Sequence, residues 1–206
     1  MSEDGGVYIS ENKFFTHNHA ICSVDTLHIA GEHNRENACA AISAVLAICP
    51  ELADDQISAG LADFSGLPHR LKFVREIRGV RYYDDSIATT PGSAIAALRA
   101  FERPKIIILG GSDKGADYHE IIDVTKQTNS RVLAIGRTGE KIYQICLDRS
   151  VTAERETGDM QSVVDHATNM ARPGDVVILS PASASFDQYK NYTDRGEQFI
   201  EAVQIL

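Results

Sequence analysis

The sequence predicts an α/β fold, a parallel sheet with helices on both faces. Three observations carry this. From residue 80 onward, short apolar runs alternate with segments of helical spacing, the order that βαβ units require. Two of the runs, "KIIILGG" (105–111) and "DVVILSP" (175–181), are apolar without alternation, as strands buried on both faces are. Turn formers punctuate the junctions, as in "RPGD" (172–175).

The elements follow in order. Residues 7–31 alternate apolar and polar in short runs ("VYIS", "KFFTH", "LHIAG") and predict short strands in hairpins or an edge meander. "NRENACAAISAVLAI" (34–48) has helical spacing, with Asn34 as its N-cap, and a second helix is expected over 55–64. "GLPHR" (66–70) breaks the pattern, which divides the chain into 1–65 and 66–206. Strands are then expected at 80–86, 105–111, 131–136 and 176–180. Helices are expected at 90–101, 118–128, 139–149, 160–171 and 186–204, the first with Thr90 as cap and Pro91 at its first position.

Composition bounds the function. The chain has 206 residues, 43% hydrophobic and 24% charged, enough for a sizeable core. A net charge of -9 argues against a nucleic-acid partner, which needs clustered Lys and Arg. No apolar run reaches the roughly 18 residues of a membrane span, so no membrane partner is expected. Cys22, Cys39, Cys49 and Cys146 show no zinc spacing and read as reduced thiols; with no basic n-region at the start, a cytoplasmic location is expected. His17 and His19 form an H-x-H pair without a third ligand, so no metal site is assigned.

In an open parallel sheet, ligands bind beyond the carboxyl ends of the strands. Three loops fall there: "DDSIATTPGS" (84–93), "GGSDKGAD" (110–117) and "SPASASFDQ" (180–188). All are rich in Gly, Ser, Thr and Asp, and the second carries Lys114. The first and third are expected to run into helix N-termini, where free N–H groups favour an anion. One such loop reads as turns and caps; three at one edge predict a site for an anionic small molecule. The G-x-x-x-x-G-K-[ST] phosphate loop, the G-x-G-x-x-G fingerprint and the G-x-S-x-G elbow are all absent from the chain.

"GEHNRENACAA", "GLPHRLKFV", "YYDDSIATTPGSAIAAL", "ILGGSDKGADY" and "SPASASFDQYKNYTDRG" together resemble the Mur ligases, over roughly residues 27–206, and in particular their glutamate-adding branch. The family has a UDP-sugar domain, a central ATPase domain and a C-terminal Rossmann-like domain. The resemblance implies that 1–65 is the tail of the ATPase domain and 66–206 the C-terminal domain. It also implies ATP-dependent addition of glutamate to UDP-N-acetylmuramoyl-L-alanine in peptidoglycan synthesis. The P-loop and the magnesium and carbamylated-lysine positions have no counterpart here, so ATP and Mg would be held mainly by another part of the enzyme, and the chain alone would be inactive.

Residue by residue, the resemblance puts Asn34, Asn37, Arg70 and Asp85 at the nucleotide. An amide serves a base edge, a guanidinium fork suits phosphate or ribose oxygens, and Asp85 would be the acidic partner of the ribose. Thr89, Lys114, Ser185, Phe186 and Tyr192 match positions around glutamate. Lys114 would neutralise a carboxylate, and Ser185, at its helix N-terminus, would hydrogen-bond one. No residue is assigned a catalytic role. The family pattern "DS-K-A-T" reads "DSIAT" here, with Ile87 in place of the lysine. That departure leaves open D- or L-glutamate. Two other readings stand beside it: another ligase of the superfamily, of folylpolyglutamate type, and a non-catalytic amino-acid- or nucleotide-binding module.

Overall fold

The computed structural model describes residues 6–29 and 31–206. The chain forms two compact units, one ending at Gly66 and the other Leu67–Leu206.

The first unit holds an antiparallel meander of β1 (Tyr8–Ser10), β2 (Lys13–Thr16) and β3 (His19–Ser23), followed by helices α1 (Glu32–Ile48) and α2 (Asp54–Asp63). Both hairpin turns have two residues at positive φ, Glu11–Asn12 (48° and 59°) and His17–Asn18 (45° and 65°). This geometry matches the twist of paired strands, and Asn tolerates it. His17 is therefore a turn residue, and His19 meets Asp54 at 2.7 Å. Among the described residues, no three His, Cys, Asp or Glu side chains gather as a metal site. The core is Phe14, Ile21, Val24, Ala38, Ile42 and Ile57. Two expectations fail here. "LHIAG" is not a strand: a 3-10 turn over Val24–Thr26 and irregular chain replace it, and Ala30 lies outside the described residues. Asn34 is not the cap, because α1 starts earlier, with Gly31 at the cap and Glu32 in the first turn, where the helix dipole favours an acid.

The second unit is a six-stranded sheet in the order β4-β5-β9-β6-β7-β8. The strands are β4 (Lys72–Ile77), β5 (Val80–Asp84), β6 (Lys105–Gly110), β7 (Arg131–Ile135), β8 (Ala153–Arg155) and β9 (Val176–Leu179). All pairs are parallel except β4–β5, a hairpin closed by Arg78–Gly79 with φ of 50° and 80°. The edge strands β4 and β8 escape a reading based on apolar runs. Lys72–Ile77 carries three charged residues and Phe73 is half exposed, while Ala153–Arg155 is short and polar.

Helices α3 (Pro91–Arg99), α4 (His119–Gln127) and α5 (Gly139–Asp148) cover one face with Ile107, Leu109, Val132 and Ala134. Helices α6 (Met160–Met170) and α7 (Tyr192–Ile205) cover the other with Ile106, Ile108, Leu133 and Leu179. Strand β6 sends alternate residues to opposite faces, and all four of Ile106–Leu109 are fully buried. Burying each such side chain stabilises the fold by about 1.5–3 kcal/mol, which makes β6 the centre of the unit. Thr90 caps α3 through the Ser93 N–H, with Pro91 at the first position, as expected. The last helix starts at Tyr192, capped by Asn191, and not at 186, because residues 180–191 are drawn into the loop network below.

At the β8 edge, His166 on α6 bridges Glu154 (2.8 Å) and Glu156 (3.0 Å). The Glu154 bond, followed by the Glu156 bond, raises the imidazole pKa against the effect of burial. The Gly158 N–H and then His166 lower that of Glu156. A raised histidine stabilises the fold fully below its ordinary pKa of about 6.5 and loses that contribution as pH rises through the folded value. The lowered Glu156 stabilises above its ordinary value and loses that as pH falls. The clamp is therefore strongest between about pH 4.5 and 6.5. His166→Gln is expected to lower thermal stability at pH 5.5, by about 0.5–1 kcal/mol for so exposed a cluster, and to leave it nearly unchanged at pH 8.5. Equal losses at both pH values would refute the clamp.

Candidate functional site

Parallel pairing of β9 with both β5 and β6 sets three carboxyl ends side by side. From them run the loops Asp85–Thr90, Gly111–Asp117 and Ser180–Asn191. The backbone joins them: Ala182 N–H donates to Ala88 O (2.9 Å), Gly110 N–H to Pro181 O (2.8 Å), and Ser112 N–H to Ala184 O (2.8 Å).

The serines of "SPASAS" divide into two uses. Ser180 Oγ donates to Asp85 Oδ2 (2.6 Å), and Ser183 Oγ meets the Tyr118 hydroxyl (2.6 Å). These two are buried struts between loops. Ser185 is also buried, and its carbonyl accepts from Gln188 and Tyr189 N–H in a tight turn. It does not sit at a helix N-terminus, since α7 begins seven residues later, at Tyr192.

The centre of the network is Arg195, fully buried. Its Nε donates to Ser86 Oγ (2.9 Å), one terminal nitrogen to Ser86 O (2.7 Å) and the other to Ser183 O (3.1 Å). One guanidinium thus ties the loop after β5 to the loop after β9. Burial lowers its pKa to about 10. Beside it, Asp84 accepts a 2.6 Å hydrogen bond from His69, and burial pushes its carboxyl up against the opposing pull of His69. Asp85 accepts from Leu71 N–H (3.0 Å) and Ser180, and burial raises its pKa to about 7.

Arg70 is exposed, at a turn whose flanks His69 (φ 59°) and Leu71 (φ 47°) lie in the left-handed region. Such a residue costs about 1–2 kcal/mol, and it persists only when its surroundings hold it. Asp84 holds the His69 ring and Asp85 the Leu71 N–H. Asp85 is 5% exposed with both carboxylate oxygens engaged. That fits a support of the Arg70 turn better than an open acceptor for a ribose hydroxyl.

Of the other predicted residues, Thr89 is exposed on the loop before α3. Lys114 Nζ stands 5.7 Å over the Phe186 ring, which is 68% exposed. This cation–π contact brings the second and third loops together at their tips. Tyr192 meets His69 edge-on at 6.2 Å between centroids, and its carbonyl accepts from Ser86 Oγ. Ile87 is half buried, and its N–H donates to His69 O. Asn34 and Asn37 belong to the first unit, where Asn37 Nδ2 donates to Asn34 Oδ1 at 3.4 Å.

The sequence reading missed His69, Asp84, Arg195 and Gly196. A signal existed: a glycine inside an otherwise good helix. A Cβ on Gly196 would lie 2.3 Å from His69 Nδ1 and 2.9 Å from Asp84 Oδ2.

Residues 69–183 match the family described as "Mur ligase, glutamate ligase domain". The chain belongs to the Mur ligase family. Among individual relatives, it is 41% identical over 195 residues to the UDP-N-acetylmuramoylalanine--D-glutamate ligase of Desulfatibacillum aliphaticivorans, covering 94% of this chain and 42% of that one. It is 36% identical over 205 residues to the enzyme of that name from Caldanaerobacter subterraneus subsp. tengcongensis, covering 98% and 45%. The chain thus spans under half the length of these relatives. In fold it is similar to the UDP-N-acetylmuramate-alanine ligase of Thermotoga maritima (TM-score 0.64, 17% identity, 87% of this chain and 39% of that one). It is equally similar to a bifunctional folylpolyglutamate synthase/dihydrofolate synthase from Yersinia pestis (TM-score 0.65, 18% identity, 98% and 46%). Among the described residues, no helix is long and apolar enough to cross a membrane.

Gly196→Ala tests the packing. Alanine in a helix interior ordinarily stabilises by about 0.5–1 kcal/mol over glycine. Here the methyl group enters a buried hydrogen-bonded pair, and a net loss of about 1–3 kcal/mol is expected. Chemical denaturation of the chain reads the difference, and a more stable variant would show that His69 and Asp84 are loosely held.

Proposed function

We propose that this chain is the glutamate-binding, nucleotide-closing part of an ATP-dependent ligase that adds glutamate to UDP-N-acetylmuramoyl-L-alanine. The observation that carries the reading is the contact of Lys114 with Phe186 on two adjacent loops beyond the parallel strands, with Ser185 next to Phe186 in the chain. A fixed ammonium group neutralises one glutamate carboxylate, and a short hydroxyl hydrogen-bonds one, without side-chain bulk between substrate and backbone. Thr89 and Tyr192 complete the surroundings.

In the reaction, the γ-phosphoryl group of ATP passes to the muramoyl-alanine carboxylate. The glutamate amine attacks the acyl phosphate, a tetrahedral intermediate forms, and it collapses to the amide with loss of phosphate and a proton. Magnesium, held with ATP mainly by the P-loop portion typical of the family, would neutralise phosphate charge. This chain's own part is positioning: it holds the amine in line and presents Arg70 to ATP oxygens. Asp85 supports that turn through Leu71, and Asn34 and Asn37 would serve the nucleotide from the first unit.

Ile87 favours a second reading within the same chemistry. An isoleucine cannot repeat the charge of the family lysine, so the geometry of glutamate, and with it the choice of D- or L-isomer, is open to change. Side-by-side titration of both isomers decides this.

In the complete enzyme, Lys114→Met and Ser185→Ala are each expected to raise the glutamate requirement about ten- to a hundred-fold, the loss of a hydrogen bond worth roughly 1.5–3 kcal/mol. Titration runs at saturating ATP and UDP-N-acetylmuramoyl-L-alanine; wild-type dependence in both variants would remove these loops from the glutamate site. Arg70→Ala is expected to weaken ATP use more than glutamate use, and an unchanged apparent ATP affinity would contradict its role. The chain by itself, without a P-loop, is expected to release no phosphate from ATP in the presence of both other substrates.

A further inference from the structure

Asp187 directly follows Ser185 and Phe186 in the chain and was assigned no part in the site. Its Oδ2 accepts from Arg137 N–H (2.9 Å), on the loop after β7, and its Oδ1 from Ser112 Oγ (3.3 Å), on the loop after β6. The same loops are cross-tied beneath it: Gly111 N–H donates to Thr138 Oγ1 (3.1 Å), and Thr138 N–H to Gly111 O (3.0 Å). Space for the carboxylate is made by Gly136, where φ is 64° and a Cβ would stand 2.6 Å from Asp187 Oδ2. Asp187 itself sits inside the turn closed by Ser185 O, directly after Phe186. It therefore anchors that turn to a loop that carries no predicted ligand contact.

The consequence reaches Lys114. Ser112 is two residues before Lys114, and Phe186 one before Asp187. When the carboxylate holds Ser112 and Arg137 at once, the Phe186 ring and the Lys114 ammonium are brought to 5.7 Å. We propose that Asp187 is the positioning residue of the carboxylate-binding pair: by bracing the turn of Ser185 and Phe186 on the loops after β6 and β7, it sets where Lys114 and Ser185 stand for an incoming amino-acid carboxylate. This rests on the reading of the site as a glutamate site. Asp187 touches no substrate in it.

The test has two arms. In the 206-residue chain, the Phe186 ring is expected to shift the Lys114 ε-methylene NMR signal upfield, with Phe186→Leu as the unshifted reference. Asp187→Ala is expected to move the signal to that reference. Asp187→Asn is expected to restore it, because an amide can accept from Arg137 N–H and donate to Ser112 Oγ. Ser112→Ala, which cuts one of the two tethers, is expected to fall between, and it serves if Asp187→Ala does not fold. In the complete enzyme, Asp187→Ala is expected to raise the glutamate KM about ten- to a hundred-fold, as small misplacements of binding groups do. The ATP KM should stay unchanged, and Asp187→Asn should recover most of the loss. A wild-type Lys114 signal in Asp187→Ala, or in Ser112→Ala if that is the variant that folds, overturns the proposal. So does a rise in KM shared equally by all three substrates, or one that Asp187→Asn does not reverse. If the wild-type enzyme uses no glutamate while the signal still depends on Asp187, the glutamate reading falls and the positioning role stands.

Discussion

Two of the loops at the mouth of the sheet are held together by a guanidinium shut off from solvent. Arg195 sits 0% exposed and directs its N–H groups at Ser86 Oγ, Ser86 O and Ser183 O. A buried cation is costly unless paired and hydrogen-bonded. Here neutral acceptors meet its donors and the Asp84 and Asp187 carboxylates act on it from nearby. In return, two loops from different strands are held to one rigid group on α7. A lysine, a point charge without the planar fork, could not meet these acceptors at once.

The same centre explains strain that would otherwise stand unexplained. His69 and Leu71 take left-handed backbone angles on either side of Arg70. Histidine visits that region more readily than most side chains, but leucine does not adopt it by preference. The two carboxylates of Asp84 and Asp85 compensate by binding the His69 ring and the Leu71 N–H. The result is an exposed arginine presented on an over-determined turn, a form of preorganisation suited to an anionic ligand. Gly196 is part of the same device, since only an absent side chain lets α7 approach the His69–Asp84 pair.

The small residues of the third loop share out the work. Ser180 and Ser183 brace Asp85 and Tyr118, Ala182 N–H pairs with Ala88, and Ala184 O receives Ser112 N–H. The loop tips then carry Lys114 and Phe186 in mutual contact, with Thr89 and Tyr192 exposed beside them in the chain's loops. A rigid scaffold with functional residues at loop tips is the usual arrangement for binding.

The alternation of apolar runs with helical segments was enough to determine the parallel sheet, its five helices and the three loops beyond its strands, because buried strands and amphipathic helices each leave a periodic trace. Lys114, Arg70 and Ser185 stood out as candidates through their motifs. The edge strands β4 and β8 were not, since one face of an edge strand meets water and its pattern dissolves. Nor was the start of α7, because the pull of Asp187 on Arg137 and Ser112, and of Ser185 O on its own turn, overrides local helical preference. The roles of Arg195, Asp84 and Asp187 depend on partners as far as 109 residues away in the chain. No local pattern encodes such a pairing. Only the strand order, with β9 between β5 and β6, brings those residues together, and with them the site.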